Sequence, residues 1–224
     1  MRRVTVVAET VDVSALRPAQ DLELWLREQD GLATLAERDM GGRRVKRRYT
    51  IRHARPGGEL DLDVLVHGHG PGSAWGATVT PGDEVEFQGP RGKLELTAAP
   101  WHLLVGDESA LPAIAAICEA LTEPAFAVIE VEGRDDELPV LAQTTFVHRG
   151  ETSPGGADLL NAAISSMPLP AGAGHGYLMG ETRAMVALRT VLEERGIDHD
   201  AIFVKGYWNL GRPDRLAGRS PTSP

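Results

Sequence analysis

The residues best equipped for chemistry cluster early in the chain. Arg47-Arg48-Tyr49-Thr50-Ile51-Arg52 places a guanidinium, a phenol and a hydroxyl on one β-like run. It is followed by the glycine-dense loop His67-Gly68-His69-Gly70-Pro71-Gly72-Ser73-Ala74-Trp75. A guanidinium pairs with phosphate, a phenol ring stacks on another ring, and a hydroxyl holds a polar edge. Glycines let the backbone N–H groups of a loop or helix start face an anion. Arg47, Tyr49 and Thr50 with this glycine loop therefore suit an aromatic cofactor that carries phosphate, and a flavin is the expectation. Taken alone, R-x-Y-T is also ordinary strand text and Gly-Pro-Gly is also simply a turn. His67 and His69 could share a face of a strand, but no third ligand lies near them in sequence, so no metal site is expected.

Two later stretches carry related chemistry. Val105-Gly106-Asp107-Glu108-Ser109-Ala110-Leu111-Pro112-Ala113 reads as strand, tight turn and helix start, the usual position of a nucleotide at the carboxyl edge of a parallel sheet. It is not G-x-G-x-x-G, its acidic pair would repel a pyrophosphate laid against it, and a plain βα turn remains the equal alternative. Lys205-Gly206-Tyr207-Trp208-Asn209-Leu210-Gly211 puts two aromatics after a final strand. Tyr207 and Trp208 either plug the boundary between domains or flank a flavin ring.

The elements that must position these residues change in texture along the chain. Up to about Thr97 the text is short strands with frequent turns: Val4–Ala8, Asp21–Leu26, the Tyr49 strand, Asp61–Val66, Glu84–Phe87 and Leu94–Leu96. Turns are read at Arg55–Gly58, Pro81–Asp83 and Gln88–Lys93, a helical turn at Leu32–Arg38, and a helix from Ser73 towards Val79. This predicts a small antiparallel β-barrel over residues 1–97. From residue 98 onward strands alternate with helices. Strands are read at Trp101–Val105, Ala125–Val131, Thr144–Arg149, Gly176–Gly180 and Ala201–Lys205; helices at Ala110–Leu121, Ala157–Ser166 and Ala184–Arg195. That alternation predicts a parallel-sheet α/β domain over 98–224, with a disordered tail from Arg212.

Bulk properties narrow the function classes. The 224 residues are 42% hydrophobic and 25% charged, and 23 Lys and Arg against 32 Asp and Glu give a net charge of -9. That balance disfavours a general nucleic-acid partner, which needs clustered cations; the one local basic run is Arg43–Arg48. A single cysteine, Cys118, makes no internal disulfide, Cys-ligated zinc site or iron–sulfur cluster, and its apolar neighbours predict a buried thiol. No apolar run approaches the ~20 residues that cross a bilayer. Glu9 and Asp12 interrupt any signal-like start, so a cytoplasmic protein is expected.

In order, Arg47-x-Tyr49-Thr50-x-Arg52, Glu59-Leu60-Asp61-x-Asp63-x-x-x-His67-Gly68, Gly70-Pro71-x-Ser73-x-Trp75, Pro81-Gly82-Asp83, Gly106-Asp107-Glu108-x-Ala110-Leu111-Pro112-Ala113 and Tyr207-Trp208-x-x-Gly211 resemble the siderophore-interacting proteins of the ferredoxin–NADP reductase superfamily. The resemblance implies an FAD-binding barrel followed by a nucleotide-binding α/β domain. It further implies reduction of Fe(III) held by a siderophore, with electrons from NAD(P)H or reduced ferredoxin. By the same resemblance Arg47, Tyr49, Thr50, His67, Gly72, Ser73 and Trp75 hold the flavin, while Gly106, Asp107, Glu108 and Ser109 face the nicotinamide donor. Lys46, Arg48 and Lys205 are the candidates for attracting an anionic ferric siderophore, and Arg134 for meeting a 2′-phosphate. Ser109 stands where the family usually has Thr, Gly72 where it has Ala, and Asn209-Leu210 where basic residues are expected. A general flavin or ferric reductase, or a non-catalytic flavin- or ferric-ligand-binding protein, are the alternatives.

Overall fold

The computed structural model describes residues 1–27 and 44–211; the helical turn expected at 32–38 and the tail from 212 lie outside the described residues. The described chain divides into two compact units, the first running to Lys93 and the second beginning at Leu94.

The first unit is an antiparallel sheet of β1 (Arg2–Val7), β2 (Asp21–Arg27), β3 (Arg44–Arg55), β4 (Glu59–Val64) and β5 (Glu86–Arg91), in the order β1-β4-β3-β2-β5. Period-two alternation sends Leu22, Leu24, Leu26, Val45, Ile51, Leu60, Leu62 and Val64 into one apolar cluster, with the helix α1 (Gly70–Thr78) contributing Trp75. Fully burying each such side chain contributes about 1.5–3 kcal/mol. Two acidic residues of β4 are nonetheless buried, and both are paired. Asp63 takes both hydrogen bonds of Arg3 at 2.7 and 2.9 Å, and Asp61 takes two from Arg55 at the same lengths and one from Thr5 Oγ1 at 2.8 Å. The Arg55 hydrogen bonds hold the Asp61 carboxyl well below the usual carboxylate range, against the opposing effect of burial.

Local text and structure differ at four places in or beside this unit. α1 starts at Gly70 rather than Ser73, because Pro71 suits the first turn, where its missing N–H costs nothing. Thr80 to Asp83 turns as expected, but the strand begins at Glu86 and runs through Gly89-Pro90, read above as a turn. Proline is tolerated there because β5 is an outer strand, and the register slips opposite Leu22. Gly89 is required by its φ of 139° and by the Asp21 carbonyl, 2.9 Å from where a Cβ would stand. Leu94–Leu96 alternates but forms no strand; Leu94 alone is buried.

The second unit is a parallel sheet of β6 (Trp101–Asp107), β7 (Ala125–Val131), β8 (Gln143–His148), β9 (Gly174–Glu181) and β10 (Ile202–Trp208), ordered β10-β9-β6-β7-β8. Trp101, Leu103, Val105 and Leu178 pack with α3 (Asp158–Ser166) and α4 (Thr182–Glu194) on one face. The helix α2 (Leu111–Ala120) packs on β6 and β7, with Ile114 against Gly106 on the other face. Cys118 is buried as expected. Chain order reverses between β6 and β9, the point where such sheets open a crevice at their carboxyl ends.

At the opposite, amino end of this sheet lies a buried aromatic group. His102 on β6 and His175 and Tyr177 on β9 have ring centroids 4.7–6.3 Å apart, and Phe203 on β10 stands 6.2 Å from Tyr177. Neither His102 nitrogen has a hydrogen-bond partner, and Glu123 is 3.8 Å away. Burial lowers both histidines, outweighing Glu123 at His102, and at His175 the neighbouring His102 adds to the effect. The unfolded chain takes up these protons near pH 6.5; the folded chain takes them up only at lower pH. Stability is therefore full above about pH 6.5 and falls as pH drops through the window beneath it. Thermal unfolding followed between pH 7 and pH 5 is expected to show a falling midpoint, and His102→Phe to flatten that slope; an equal slope in the variant contradicts the assignment.

Candidate functional site

β3 is the platform of the first site. Its register pairs Tyr49 with Leu22 and Arg47 with Leu24, placing both on the face that carries the apolar cluster. Pairing of Lys46 with Trp25, Arg48 with Glu23 and Thr50 with Asp21 puts these residues on the opposite face. Thr50 therefore does not share a face with Arg47 and Tyr49, and it is buried.

α1 lies directly against the Arg47–Tyr49 pair. A Cβ at Gly72 would come 2.5 Å from the Tyr49 hydroxyl and 3.4 Å from Arg47 Cγ, so only glycine allows this approach unless Tyr49 moves. Trp75 is buried behind Tyr49, their centroids 5.5 Å apart and their planes 38° apart. Ser73 is buried, and its Oγ accepts from the backbone N–H groups of His67 and Gly68, both at 2.9 Å. That serine locks the glycine loop onto the helix. No side chain caps the helix at His69. A start without a capping side chain, beside a guanidinium, has the polarity to receive a phosphate. The His67 and His69 rings stand 6.2 Å apart.

The opposite face of β2 and β3 gathers charge around one carboxylate. Buried Glu23 receives Lys46 Nζ at 2.9 Å, Arg91 Nη1 at 3.2 Å and Arg48 Nε at 3.4 Å. Burial pushes its carboxyl up, but Lys46, Arg91 and Arg48 outweigh that and leave it below the ordinary value. Lys46 also sits 4.2 Å over the Trp25 ring. Lys46 and Arg48 were expected from sequence. Arg91 and Glu23 were not, because only strand register brings them there.

In the second unit Gly106, Asp107, Glu108 and Ser109 stand at the carboxyl end of β6, where chain order reverses. A Cβ at Gly106 would fall 2.3 Å from the Met179 carbonyl, so glycine is needed for β6 to pack beside β9. Asp107 is the hub. Its Oδ1 accepts from the Ser109 N–H and hydroxyl, and its Oδ2 from the Glu181 N–H at 2.9 Å and the Trp208 indole at 2.8 Å. Glu181 in turn caps α4 through the Ala184 N–H at 2.8 Å and takes the Leu210 N–H at 3.1 Å. Glu108 accepts Arg149 Nη1 at 2.7 Å and the Glu132 N–H at 2.6 Å. Glu108, Glu132 and Asp136 bring one carboxylate oxygen each within 4.8 Å of one another. Burial raises the neighbouring Glu130 carboxyl, only partly offset by Arg149. Exposed Arg134 lies in the turn with Asp135 and Asp136.

Tyr207 and Trp208 lie within β10, not after it, at the point where its register to β9 shifts between Gly206 and Trp208, and they reach different partners. Trp208 reaches Asp107, whereas Tyr207 reaches Met179 Sδ at 3.9 Å and carries Lys205 4.9 Å from its ring. They therefore do not form one aromatic wall. Glu181 and Arg149 escaped the sequence reading; a carboxylate immediately before a helix was the available signal for the first.

An antiparallel sheet followed by a five-stranded parallel sheet is a ferredoxin reductase-like fold. Residues 1–94 match the Siderophore-interacting FAD-binding domain and residues 99–211 match the Siderophore-interacting protein family. The chain belongs to the siderophore-interacting protein family. It is 37% identical over 190 residues to an uncharacterized protein of Mycobacterium tuberculosis, covering 76% of this chain and 67% of that one. It is 34% identical over 178 residues to the ferric vibriobactin reductase ViuB of Vibrio cholerae, covering 75% and 66%. The chain thus spans about two thirds of the length of these relatives. The crystal structure of a siderophore utilization protein from T. fusca superposes with a TM-score of 0.77 at 31% identity, covering 95% of this chain and 88% of that one.

Asp107 satisfies four donors from three separate segments. Asp107→Asn turns one acceptor into a donor that faces other donors, and is expected to cost about 2–4 kcal/mol. Chemical denaturation followed by tryptophan fluorescence measures it, and a loss under 0.5 kcal/mol would contradict the hub role.

Proposed function

We propose that this protein is an FAD-dependent ferric-siderophore reductase working in the cytoplasm. The observation that carries the reading is the close approach of α1 to Arg47 and Tyr49 at Gly72, within a domain of an FAD-binding family. The residues fit the group. Tyr49 offers a half-buried ring for the flavin, Arg47 a guanidinium, and the start of α1 its N–H groups for the pyrophosphate. Ser73 and His67 hold the loop in place, and Trp75 backs Tyr49 from the core. When bound, FAD accepts electrons in a pair and delivers them one at a time to Fe(III), whose reduction weakens its hold on hard oxygen donors. The chain positions the cofactor and tunes its surroundings; outer-sphere transfer to the ferric substrate asks no side chain for a proton. The cations around Glu23 exceed its charge, so Lys46, Arg48 and Arg91 give an otherwise acidic protein a local attraction for an anionic ferric complex. Lys205 is the corresponding candidate on the second unit.

The electron donor is NAD(P)H or reduced ferredoxin, and the second unit bears on the choice between nicotinamides. Glu108, Glu132 and Asp136 gather at the end of β7, where a sheet of this order meets the adenine ribose. A 2′-phosphate brings ~1.5–2 further negative charges to that cluster, so NADH is the better fit, with Gly106 and Ser109 at the strand end.

Two measurements test this reading. FAD occupancy of Arg47→Ala/Tyr49→Ala, read from absorbance of the purified protein, is expected to fall at least tenfold with the fold retained by circular dichroism; wild-type occupancy would refute the placement. In anaerobic stopped-flow reduction, kcat/KM for NADH is expected to exceed that for NADPH at least tenfold. A preference for NADPH overturns the role of the acidic cluster, and a flavin reduced by neither nicotinamide nor reduced ferredoxin leaves only a binding function.

A further inference from the structure

The first turn of α1 is short of donors. Its N-cap residue is His69, where a serine, threonine or aspartate oxygen ordinarily takes the N–H of the third helical residue. Pro71, in the first turn, has no N–H to give. The N–H groups of His67 and Gly68 are taken by Ser73 Oγ, both at 2.9 Å. On the β3 side, Arg47 already gives Nη1 to the Lys46 carbonyl at 2.8 Å. An anion arriving here meets the remaining N–H groups of the helix start and part of one guanidinium.

Two imidazoles flank the same place. His67 and His69 are exposed, with ring centroids 6.2 Å apart and planes 46° apart. From 65 to 80 the chain holds no Asp, Glu, Lys or Arg, so neither the loop nor α1 offers a carboxylate to a protonated ring. β3 brings Arg47 and Tyr49 against Gly72, and the Arg47 cation opposes a second positive charge until an anion is bound. Arg2 of β1 reaches α1 only at its other end, at the Gly76 and Val79 carbonyls. The carboxylates of β2 and β4, namely Asp21, Glu23, Glu59, Asp61 and Asp63, alternate with the leucines of the apolar cluster and so stand on the other face of the sheet.

Resting on the flavin reading above, we propose that His69, assisted by His67, binds the FAD pyrophosphate as an imidazolium, so that loading of the cofactor takes up a proton. The protonated ring supplies the donor and the charge that the helix start lacks, since both its nitrogens then carry N–H. An imidazole titrates near pH 6.5, and a phosphate beside it raises that value. The extra affinity is therefore full below about pH 6.5 and is lost as pH rises through the higher value of the complex. A rise of about one unit makes FAD bind roughly sixfold more tightly at pH 6 than at pH 8. Protonation of His102 and His175 works in the opposite direction, weakening the fold at low pH, so it cannot produce this tightening.

The FAD-loaded full chain, diluted in series at constant ionic strength, reports the dissociation constant through the recovered fluorescence of free flavin. The wild type is expected to hold FAD at least fourfold more tightly at pH 6 than at pH 8. His69→Gln is expected to match the wild type at pH 8 and to lose most of the gain at pH 6, whereas His69→Lys binds equally tightly at both. Riboflavin, which has the ring without the phosphates, is expected to bind equally at the two pH values, with the fold checked by circular dichroism. A wild-type constant unchanged between pH 6 and pH 8 overturns the proposal and leaves the flavin reading standing. So does a pH dependence that survives His69→Gln or that riboflavin shares. A chain that holds no FAD at either pH fails the flavin reading itself, and this proposal with it.

Discussion

The contact on which the first unit's chemistry depends is the approach of the Tyr49 hydroxyl and the Arg47 side chain to the backbone at Gly72. It requires Tyr49 and Arg47 to share a face of β3, a helix start without a bulky side chain, and a loop pinned from below. The register of β3 against β2 meets the first condition, glycine the second, and the Ser73 hydroxyl the third. Remove the side chain that pins the loop and the helix start has no fixed relation to the pair. A cofactor with a ring at one end and phosphates further along needs a platform of this kind, where stacking and anion recognition are built by neighbouring elements.

Charge is handled differently in the two units. In the first, buried carboxylates meet cations directly: Asp61 with Arg55, Asp63 with Arg3, and Glu23 with Lys46, Arg48 and Arg91. The result is a local cationic excess in a chain whose net charge is -9. In the second, Asp107 and Glu181 take backbone, hydroxyl and indole donors instead, while Glu108 pairs with Arg149. Asp107 and Glu181 between them tie β6, β9, β10 and the start of α4 together at the carboxyl edge. That edge is firm but acidic.

Much of this was legible in the residues. Arg47 and Tyr49 are two apart on a strand, and period two alone puts them on one face. The same rule separates Thr50 from them once they are known to lie in one strand. The strand-to-helix change after residue 98 came from periodicity, and the parallel pairing of β6 to β10 is what alternating strands and helices produce. What escaped depends on distance in sequence. Arg91 meets Glu23 and Trp208 meets Asp107 across 68 and 101 positions, through a register that no local pattern encodes. Gly89-Pro90 reads as a turn because its tolerance in a strand comes from the outer position of β5, a property of the sheet and not of the dipeptide. Leu94–Leu96 has the alternation of a strand but no ladder partner among the described residues.

Anaerobic mixing tests the central claim most directly. The FAD-loaded protein is reduced by dithionite titration to one equivalent of electron pairs, then mixed with excess ferric siderophore in the presence of an Fe(II) chelator. Flavin reoxidation is expected to track loss of the ferric complex, with two Fe(II) captured per flavin because each iron takes one electron. A flavin that stays reduced while the ferric complex persists contradicts the account.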